Sequence, residues 1–400
     1  MRFSKKIEKS TLSPMRKFHP YAVAAEAKGR KIYHLNIGQP DIETPAQFFE
    51  AVRGFNQKIV SYAPSPGLPI LLQAIARYYK KLDVSLDAED ILVTTGGSEA
   101  LNFVLQCVLD DGDEILIPEP YYPNYNTMVN LTGAKICPVP TSPEQGYHYA
   151  DREKLERCIH KNTRAILCTN PGNPTGTLLT HQEMDMLVSL AKEHDLFLIA
   201  DEAYREFAYE QSSLATFGRW MEQAPEQIVL IDTVSKRFSA CGARIGCLIS
   251  KNQAMMQNCM KLAQARLSVA TLDQLAAAAL YSVDASYFAA VREEYRCRRD
   301  TVVRKLREIP GVVFQCPKGA FYLMAALPVR DADAFQTWLL EQFEDQNETV
   351  MFAPGASMYA TEGKGRNEIR IAYVLNQQDL KRAMDLLAMG IAAYQKIEAR

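Results

Sequence analysis

The 400-residue sequence lacks the features that would assign it to several other classes of protein. Apolar runs such as 196–200 are far shorter than the ~20 residues that span a bilayer, so we expect no membrane segment. Lys plus Arg number 45 and Asp plus Glu 47, which argues against a nucleic acid or another polyanion as partner. The basic N-terminus is followed by no apolar stretch, so no secretory signal is predicted.

Signatures of metal sites and disulfides are also missing. The nine cysteines are an odd number, and no two of them stand in a C-x-x-C spacing. Such thiols are typical of a reduced, cytoplasmic protein in which most cysteines fill the core. We therefore expect a cytoplasmic location and no metal. With 48% hydrophobic and 23% charged residues, the chain can form a large core and is not disordered.

What the sequence has is a regular alternation of apolar runs and helical patterns. The runs are continuous in hydrophobicity, which predicts strands buried on both faces. Between them lie helical patterns, one of which opens with the capping-box pair Thr180 and Glu183. This alternation predicts an α/β fold with a mainly parallel, seven-stranded, doubly wound sheet. The seven runs are 91–95, 114–118, 135–139, 164–168, 196–200, 228–234 and 244–250.

The pattern changes after residue 285. Residues 286–309 and 378–398 carry apolar side chains at three- and four-residue steps, which predicts two long helices. Strands are predicted near 319–326 and 368–374. Together these segments indicate a second, smaller α/β unit that follows the large sheet in the chain.

We expect two domains that are not contiguous in sequence. The large domain is predicted to cover residues 46–284, and the small domain residues 1–45 plus 285–400. The first 45 residues include Pro14 and Pro20 and show no core of their own. We expect them to form an extended arm that lies on the rest of the molecule.

The ends of the predicted strands are where a ligand would bind, because parallel sheets open their sites beyond the carboxyl ends of strands. After the first run, Gly97 and Ser98 open a helix whose free N–H groups and positive dipole end would suit a phosphate. The alternative is a tight turn with Ser98 as the N-cap residue. The motif is not a nucleophile elbow, because Ala100 stands where G-x-S-x-G needs its last glycine.

Four more strand ends carry candidate groups. Tyr122 follows the second run in a proline-flanked loop and could stack on a flat ring or simply pack under the loop. Asn173 lies in a turn cluster and offers an amide donor. Asp201 ends the fifth run, where a partly buried carboxylate needs a donor, a cation or an internal salt bridge. Lys236 ends the sixth run, where a desolvated amine can form a Schiff base, although a lone lysine is more often a surface residue.

These groups together form a specific set. A phosphorylated aldehyde cofactor with a ring nitrogen needs a phosphate cup, an aromatic neighbour, amide donors, a carboxylate and an amine. The carboxylate would keep the ring nitrogen protonated, which makes the ring an electron sink. The amine would hold the aldehyde as an imine.

With these motifs in this order, the chain resembles the fold-type-I pyridoxal-phosphate enzymes of the class I/II aminotransferase family and is aspartate-aminotransferase-like. The resemblance runs from 35–41 (LNIGQPD) through 62–67 to 370–372. It implies a pyridoxal 5'-phosphate-dependent aminotransferase that moves an amino group from an L-amino acid to a 2-oxo acid by a ping-pong mechanism. Aspartate and 2-oxoglutarate, or a broad range of substrates, are implied, as is a homodimer with shared active sites. The same scaffold supports other chemistry at the α-carbon, so a C–S β-lyase is the alternative.

The resemblance also implies roles for individual residues. Lys236 looks like the Schiff-base and proton-transfer lysine, and Asp201 like the partner of the ring nitrogen. Arg370 is similar to the arginine that binds the substrate α-carboxylate, with Gly38 and Asn173 beside the substrate. The remaining implied cofactor contacts are Asn173 and Tyr204 with the ring oxygen, Tyr122 with the ring face, Gly97, Ser98, Ser235 and Arg244 with the phosphate, Thr233 as a less certain member, and Tyr62 reaching the phosphate from the other subunit.

The chain departs from the commonest family pattern in three places. Arg237 follows the lysine where many relatives have Thr or Asn, and Ala243 stands where they have Trp. Gly96 replaces a serine that contacts phosphate in some relatives. The arginine that dicarboxylate-specific members use for the distal carboxylate has no clear match; Arg266 is a candidate substitute, with a surface or phosphate-shell role as the alternative.

Overall fold

The structure is a computed structural model that describes residues 1–209 and 216–399. In these residues twelve strands form three sheets. The strands are Lys31–His34 (β1), Ile91–Thr94 (β2), Glu114–Pro118 (β3), Lys135–Val139 (β4), Thr163–Thr169 (β5), Phe197–Asp201 (β6), Ile228–Thr233 (β7), Gly246–Ile249 (β8), Tyr322–Ala326 (β9), Glu348–Met351 (β10), Ala353–Pro354 (β11) and Glu368–Ala372 (β12).

The helices cover both faces of the large sheet and surround the smaller ones. They are Lys5–Glu8 (α1), His19–Ala27 (α2), Ala46–Arg53 (α3), Pro69–Lys80 (α4), Gly97–Val108 (α5), Asn124–Thr132 (α6), Arg152–Glu156 (α7), His181–Glu193 (α8), Val234–Arg237 (α9), Gln253–Arg266 (α10), Thr271–Leu280 (α11), Ala285–Arg307 (α12), Ala332–Glu341 (α13) and Gln377–Glu398 (α14). None of the described helices is both long and apolar enough to cross a membrane.

The seven predicted apolar runs all form strands of one sheet, which confirms the predicted α/β fold. Its strand order is β2-β8-β7-β6-β5-β3-β4. β3 to β7 pair in parallel, whereas β8 is antiparallel to both β2 and β7. Neighbouring residues along a strand enter cores on opposite faces, as Leu198 and Ile199 do, which explains why the runs are apolar throughout.

Local sequence signals set several helix ends. Thr180 and Glu183 form the predicted capping box at the start of α8, where each side chain accepts a hydrogen bond from the other residue's backbone N–H. Asp284 caps α12 by accepting from the Ser286 N–H. The two long helices predicted after residue 285 are α12 and α14, and their contact forms one wall of the second α/β unit.

The second unit holds the three-stranded sheet β11-β12-β9, which is antiparallel, and the parallel pair β1-β10. Its core is formed by apolar side chains of the two long helices and the strands between them; examples are Val302, Leu306, Leu323, Ile371 and Leu387. The sequence predicted β9 and β12, but it missed β1, β10 and β11, which have only two to four residues each.

The N-terminal arm is less extended than predicted, because α2 occupies residues 19–27. Phe18, Ala22 and Ala25 are buried on one side of this helix and pack against Leu340 and Met351. The small alanine side chains let α2 lie close to α13 and β1. The arm contacts the rest of the chain through this short helix and through the parallel pairing of β1 with β10.

Candidate active site

A cavity of about 630 Å³ lies at the carboxyl ends of the central strands, where the large sheet faces the second unit. This is where ligands bind in open parallel sheets. Every predicted site residue except Tyr62 lines it. The predicted residues in its wall are Gly38, Gly97, Ser98, Tyr122, Asn173, Asp201, Tyr204, Thr233, Ser235, Lys236, Arg244 and Arg370.

Lys236 is placed over the cavity by the turn that follows β7. Thr233 caps the one-turn helix α9 by accepting from the Ser235 N–H, so the chain reverses directly after the buried strand. The Lys236 Nζ donates a hydrogen bond to the Gly38 carbonyl oxygen at 2.8 Å and lies 3.7 Å from the Cys241 Sγ. The amine therefore faces the cavity and is in contact with the N-terminal arm.

Asp201 is the last residue of β6 and has no cationic partner among the described residues. Its carboxylate accepts from the Tyr125 hydroxyl at 2.8 Å and from the Ala203 N–H at 3.1 Å. Burial raises the pKa of Asp201, and these two hydrogen bonds offset only part of that effect. The internal salt bridge considered from the sequence is not formed. The carboxylate is therefore available to pair with a positively charged group of a ligand.

Arg370 is buried in the middle of β12. Its guanidinium donates to the Asn173 side-chain oxygen at 3.1 Å and to the Asn36 carbonyl at 2.8 Å, and it lies over the Tyr322 ring at 4.5 Å. In the described part of the chain no carboxylate forms an ion pair with it. Because only neutral groups hold this buried guanidinium, its charge is not neutralised by a described carboxylate and is available to bind an anionic ligand.

Aromatic side chains shape the middle of the cavity. The Tyr204 and Tyr322 hydroxyls lie 3.1 Å apart, and the Asn173 amide donates to the Tyr204 hydroxyl at 3.4 Å. Burial raises the pKa of Tyr204, which therefore keeps its proton as a donor. Gly38 must remain a glycine here, because a Cβ at that position would lie 1.7 Å from the Tyr322 hydroxyl oxygen. Tyr122 also lies in the wall, edge-on to the buried ring of Tyr125 at 5.6 Å.

The opposite end of the cavity is suited to an anion. Gly96, with φ of 74°, is the N-cap residue of α5, so the alternative with Ser98 as the N-cap is wrong. Ser98 instead lies in the first turn, beside free backbone N–H groups. A Cβ at Gly96 would approach the Arg244 guanidinium to 2.4 Å, so the serine found in some relatives cannot be accommodated without moving this arginine. Ser235 completes the wall, its Oγ 2.8 Å from the Thr233 hydroxyl.

A buried network of charges lies beneath the two functional turns. Asp232 accepts two hydrogen bonds from the Arg237 guanidinium at 2.7 Å and one from Arg205 at 3.0 Å. Arg205 also pairs with Glu202, which joins the turn after β6 to the turn after β7. Burial alone would raise the pKa of Asp232, but Arg237 and Arg205 outweigh it and hold the pKa at about 2. The Arg237 that departs from the family pattern is thus a structural partner of Asp232.

Sequence reasoning missed several residues of the site. Tyr125 is three residues after Tyr122 in the helix that follows the same loop, a spacing that could have identified it. Tyr322 and Asn36 come from distant segments and had no local signal. The remaining cavity residues that were not predicted as site residues include Arg16, His19, Ala22, His34, Ile37, Ala203, Cys241 and Met351.

Arg266 is placed outside this cavity. Its Nε lies 3.6 Å from a Glu99 carboxylate oxygen, and its guanidinium donates to the Val93 carbonyl at 3.3 Å. Burial lowers the pKa of Arg266, with Glu99 acting in the opposite direction. Within the described chain the guanidinium therefore stabilises the turn between β2 and α5 rather than facing the cavity.

The sheet order and the position of the lysine, carboxylate and arginine around one cavity define a transferase of fold type I. The chain belongs to the family of class I and II aminotransferases, whose model matches residues 30–387. It is 30% identical over 371 residues to the aspartate aminotransferase of Pyrococcus horikoshii, covering 91% of this chain and 92% of that one. It is 31% identical over 373 residues to the aspartate/prephenate aminotransferase of Thermus thermophilus, covering 92% and 93%.

Solved structures agree with this assignment. The aspartate aminotransferase from Thermus thermophilus with maleate is 28% identical, with a TM-score of 0.88 over 98% of this chain and 100% of that one. The alanine aminotransferase from Pyrococcus furiosus has the same identity, TM-score and coverage. The chain is therefore an enzyme, an aminotransferase. Because its relatives are named for different substrates, the amino acid that it uses has to be inferred from the residues of its own cavity.

Proposed function

We propose that this cavity binds pyridoxal 5'-phosphate and that the protein moves an amino group from an L-amino acid to a 2-oxo acid by a ping-pong mechanism. One observation carries the proposal. Asp201 and Arg370, neither of which forms an ion pair with a described residue, line the same cavity as the Lys236 amine. A ring cation, an α-carboxylate and an aldehyde are the three groups that would satisfy them. When bound, the cofactor supplies an electron sink for the bonds of the substrate α-carbon.

The residues present fit this cofactor. The unpaired carboxylate of Asp201 would bind the ring nitrogen and keep its proton. Tyr122 would lie against the ring face, and Asn173 with Tyr204 would donate to the ring oxygen. At the other end the phosphate would be held by a helix N-terminus, two serines and a guanidinium. The phosphate residues in this proposal are Gly97, Ser98, Ser235 and Arg244, with Thr233 serving mainly to cap α9.

The chain's own residues would perform the binding and proton transfer. Arg370 would hold the substrate α-carboxylate with two parallel N–H donors, which orients the α-carbon and excludes amines that lack a carboxylate. Gly38 would lie beside the substrate, and its missing side chain lets the Tyr322 hydroxyl occupy the cavity wall there. The Lys236 amine would hold the aldehyde between turnovers and carry the α-carbon proton during them.

We further propose a homodimer with shared active sites. Tyr62 is 82% exposed and lies outside the cavity of its own chain. Ile59, Val60 and Leu267 are also exposed apolar side chains, and Ser65 donates to the Leu267 carbonyl at 2.8 Å, which brings the two segments together. An apolar patch of this kind supports burial by a second copy, which would carry Tyr62 to the partner's phosphate. Sedimentation equilibrium would test the dimer; a monomer at micromolar concentration would contradict it.

A cytoplasmic location is part of the same proposal. All nine cysteines are free thiols. Free thiols in this number suit a reducing compartment. Fractionation of cells that express the protein, followed by detection with an antibody, would test this, and recovery outside the cytoplasm would contradict it.

Replacement of Lys236 by Ala tests the central proposal. We expect the variant to lose transfer between amino and oxo acids and to lose the visible absorbance band of the reconstituted protein. Lys161→Ala is the matched control, because Lys161 is exposed and lies outside the cavity. Retention of both turnover and absorbance by Lys236→Ala would overturn the proposal. Release of pyruvate and a thiol from a cysteine conjugate, without an oxo acid, would instead identify the lyase.

A further inference from the structure

The charges around the cavity do not balance under the proposed function. The cations in its described wall are Lys236, Arg16, Arg244 and Arg370, whereas Asp201 is the one acidic side chain there. Arg244 would face the phosphate, Arg370 the α-carboxylate, and Lys236 the aldehyde. Arg16 is left without an anion, either from the ligand or, among the described residues, from the protein.

Arg16 is held in place by the way the arm docks. It ends the single 3-10 turn Pro14–Arg16, and two residues later Phe18 is almost fully buried. Lys17 forms an ion pair with Asp333 at 2.8 Å and does not line the cavity. The two neighbouring cations therefore have different environments: Lys17 is neutralised by α13, and Arg16 faces the cavity.

Other polar groups line the cavity wall together with Arg16. His19 is the first residue of the nine-residue helix α2 and also lines the cavity, so the free N–H groups and the positive dipole end of α2 lie beside it. His34 lies in the same wall, and its Nδ1 is buried without a hydrogen-bond partner in the described structure. Its Nε2 lies 3.6 Å from the Glu26 carboxylate, which does not line the cavity.

This end of the cavity is where a substrate side chain would extend. Ala22, His34, Ile37 and Met351 belong to the arm and to β10, whereas the phosphate residues belong to the large sheet. Arg370 and Lys236 would fix the substrate in the middle of the cavity. The phosphate of the cofactor would then lie on the side of the large sheet. The substrate's own side chain points to the arm.

We propose that Arg16, assisted by His19, binds a second anionic group at the end of the substrate side chain, so that this aminotransferase prefers amino acids with an acidic side chain. The inference rests on the proposed function and names its substrate class. It also assigns distal recognition to the N-terminal arm instead of to Arg266, which pairs with Glu99 outside the cavity. His19 adds a polar side chain at the same end.

The test is single-turnover conversion of the cofactor-loaded protein by matched pairs of amino acids. L-aspartate is compared with L-asparagine, and L-glutamate with L-glutamine, because each pair differs in charge and hardly in shape. O-phospho-L-serine is added to distinguish a carboxylate from a phosphate as the preferred anion. The variants are Arg16→Leu, Arg16→Lys and, as a control that removes one exposed cation from the far end of α2, Lys28→Leu.

We expect the wild type to favour the acidic member of each pair. Arg16→Leu should lower that preference roughly 10- to 100-fold, the range of a charge-assisted hydrogen bond, with the change mainly in the half-saturating concentration of the amino acid and not in the limiting rate. Arg16→Lys should restore part of it, and Lys28→Leu should leave it unchanged. The dissociation constant of maleate, measured by calorimetry, should rise with Arg16→Leu, whereas that of butyrate should not.

The outcomes separate the inference from the proposed function. If no amino acid converts the cofactor, the proposed function fails. If amino acids are converted but the wild type shows no preference for acidic side chains, or if Arg16→Leu slows acidic and neutral substrates equally, the role of Arg16 is overturned while the aminotransferase assignment stands.

Discussion

The Lys236 amine donates a hydrogen bond to the Gly38 carbonyl oxygen across 2.8 Å. Lys236 belongs to the turn after β7 in the large sheet, and Gly38 follows β1 of the second unit. Arg370 makes a second link of this kind, from β12 to the Asn173 side chain at 3.1 Å. The site is therefore assembled from both units, and groups on each side approach the same point in the cavity.

A substrate bound between Lys236 and Arg370 should draw the predicted domains, 46–284 and 1–45 plus 285–400, together. The free energy of the α-carboxylate contact is available only when both units touch the ligand, so binding favours the closed arrangement. We expect the radius of gyration from solution scattering to fall when maleate is added. Arg370→Gln should abolish the change, and a wild-type profile that is the same with and without maleate would count against closure.

Removal of the Arg370 charge should impair every amino acid substrate. The guanidinium is buried, so a neutral glutamine leaves the α-carboxylate without a counter-charge, and kcat/KM should fall by roughly 100-fold or more for all substrates. The kcat/KM of Arg370→Lys should lie between those of the wild type and Arg370→Gln, because an ammonium keeps the charge but cannot make two parallel donor contacts. The control is Arg366→Gln, an exposed arginine nearby. Unchanged steady-state kinetics in Arg370→Gln would show that another residue binds the carboxylate.

Asp201→Asn should stabilise the cofactor-free protein but weaken cofactor binding. Burial raises the pKa of the Asp201 carboxyl, so its ionised form destabilises the cofactor-free protein above the ordinary pKa of an aspartate. The amide should therefore raise the free energy of unfolding of that form at pH 7, and the gain should vanish as the pH falls towards about 4. With cofactor bound, the same change should weaken retention of the ring.

Both effects can be read from chemical denaturation of the two forms at several pH values. A gain that is constant with pH in the cofactor-free protein would show that Asp201 is not the titrating group. Cofactor retention equal to that of the wild type would contradict its pairing with the ring nitrogen.

Asp232→Asn should destabilise the fold strongly. Asp232 is fully buried between Arg205 and Arg237, and its loss leaves two buried guanidinium groups with too little negative charge, at a cost of about 3–5 kcal/mol. Because the pKa of Asp232 is depressed to about 2, its contribution is present above the ordinary aspartate pKa of about 4 and is lost as the pH falls towards 2.

The difference between wild type and Asp232→Asn should thus narrow when unfolding is measured between pH 5 and pH 3. Asp83→Asn is the control, since Asp83 forms an exposed pair with Arg219 and should change the stability by less than about 1 kcal/mol. Equal stability of Asp232→Asn and wild type at pH 7 would show that this charge network does not hold the two turns together.

Hybrid dimers should reveal whether Tyr62 acts across the subunit interface. One chain carries Lys236→Ala and the other Tyr62→Ala. If Tyr62 serves the partner's site, the intact Lys236 of the second chain receives the intact Tyr62 of the first, and one fully active site forms per hybrid. If Tyr62 serves its own chain, the hybrid should be no more active than Tyr62→Ala itself. Differently tagged chains allow the hybrid to be purified and its cofactor dissociation constant measured.

Most of the fold could be predicted because both faces of the large sheet are covered. A strand such as β6 then needs apolar residues at every position before its last, and that continuous pattern is visible without any partner. β1 and β10 have four residues each and pair with one another across more than 300 positions, so their register depends on the docked arm. The Gly96 cap was missed for a similar reason, since the space that a side chain there would need is taken by Arg244, which is distant in sequence.

The sequence by itself determined which groups stand at the strand ends, because a carboxylate or an amine that directly follows a buried run has to emerge at the edge of the sheet. Lys236, Asp201 and the glycine turn before α5 could be named on that basis. Only the tertiary structure decided which charges remain unpaired. Asp232 and Asp201 both lie at or near strand ends, yet folding gives one of them two arginines and the other a single tyrosine and a backbone N–H. Pairing depends on distances between segments far apart in the chain, and no local pattern encodes those distances.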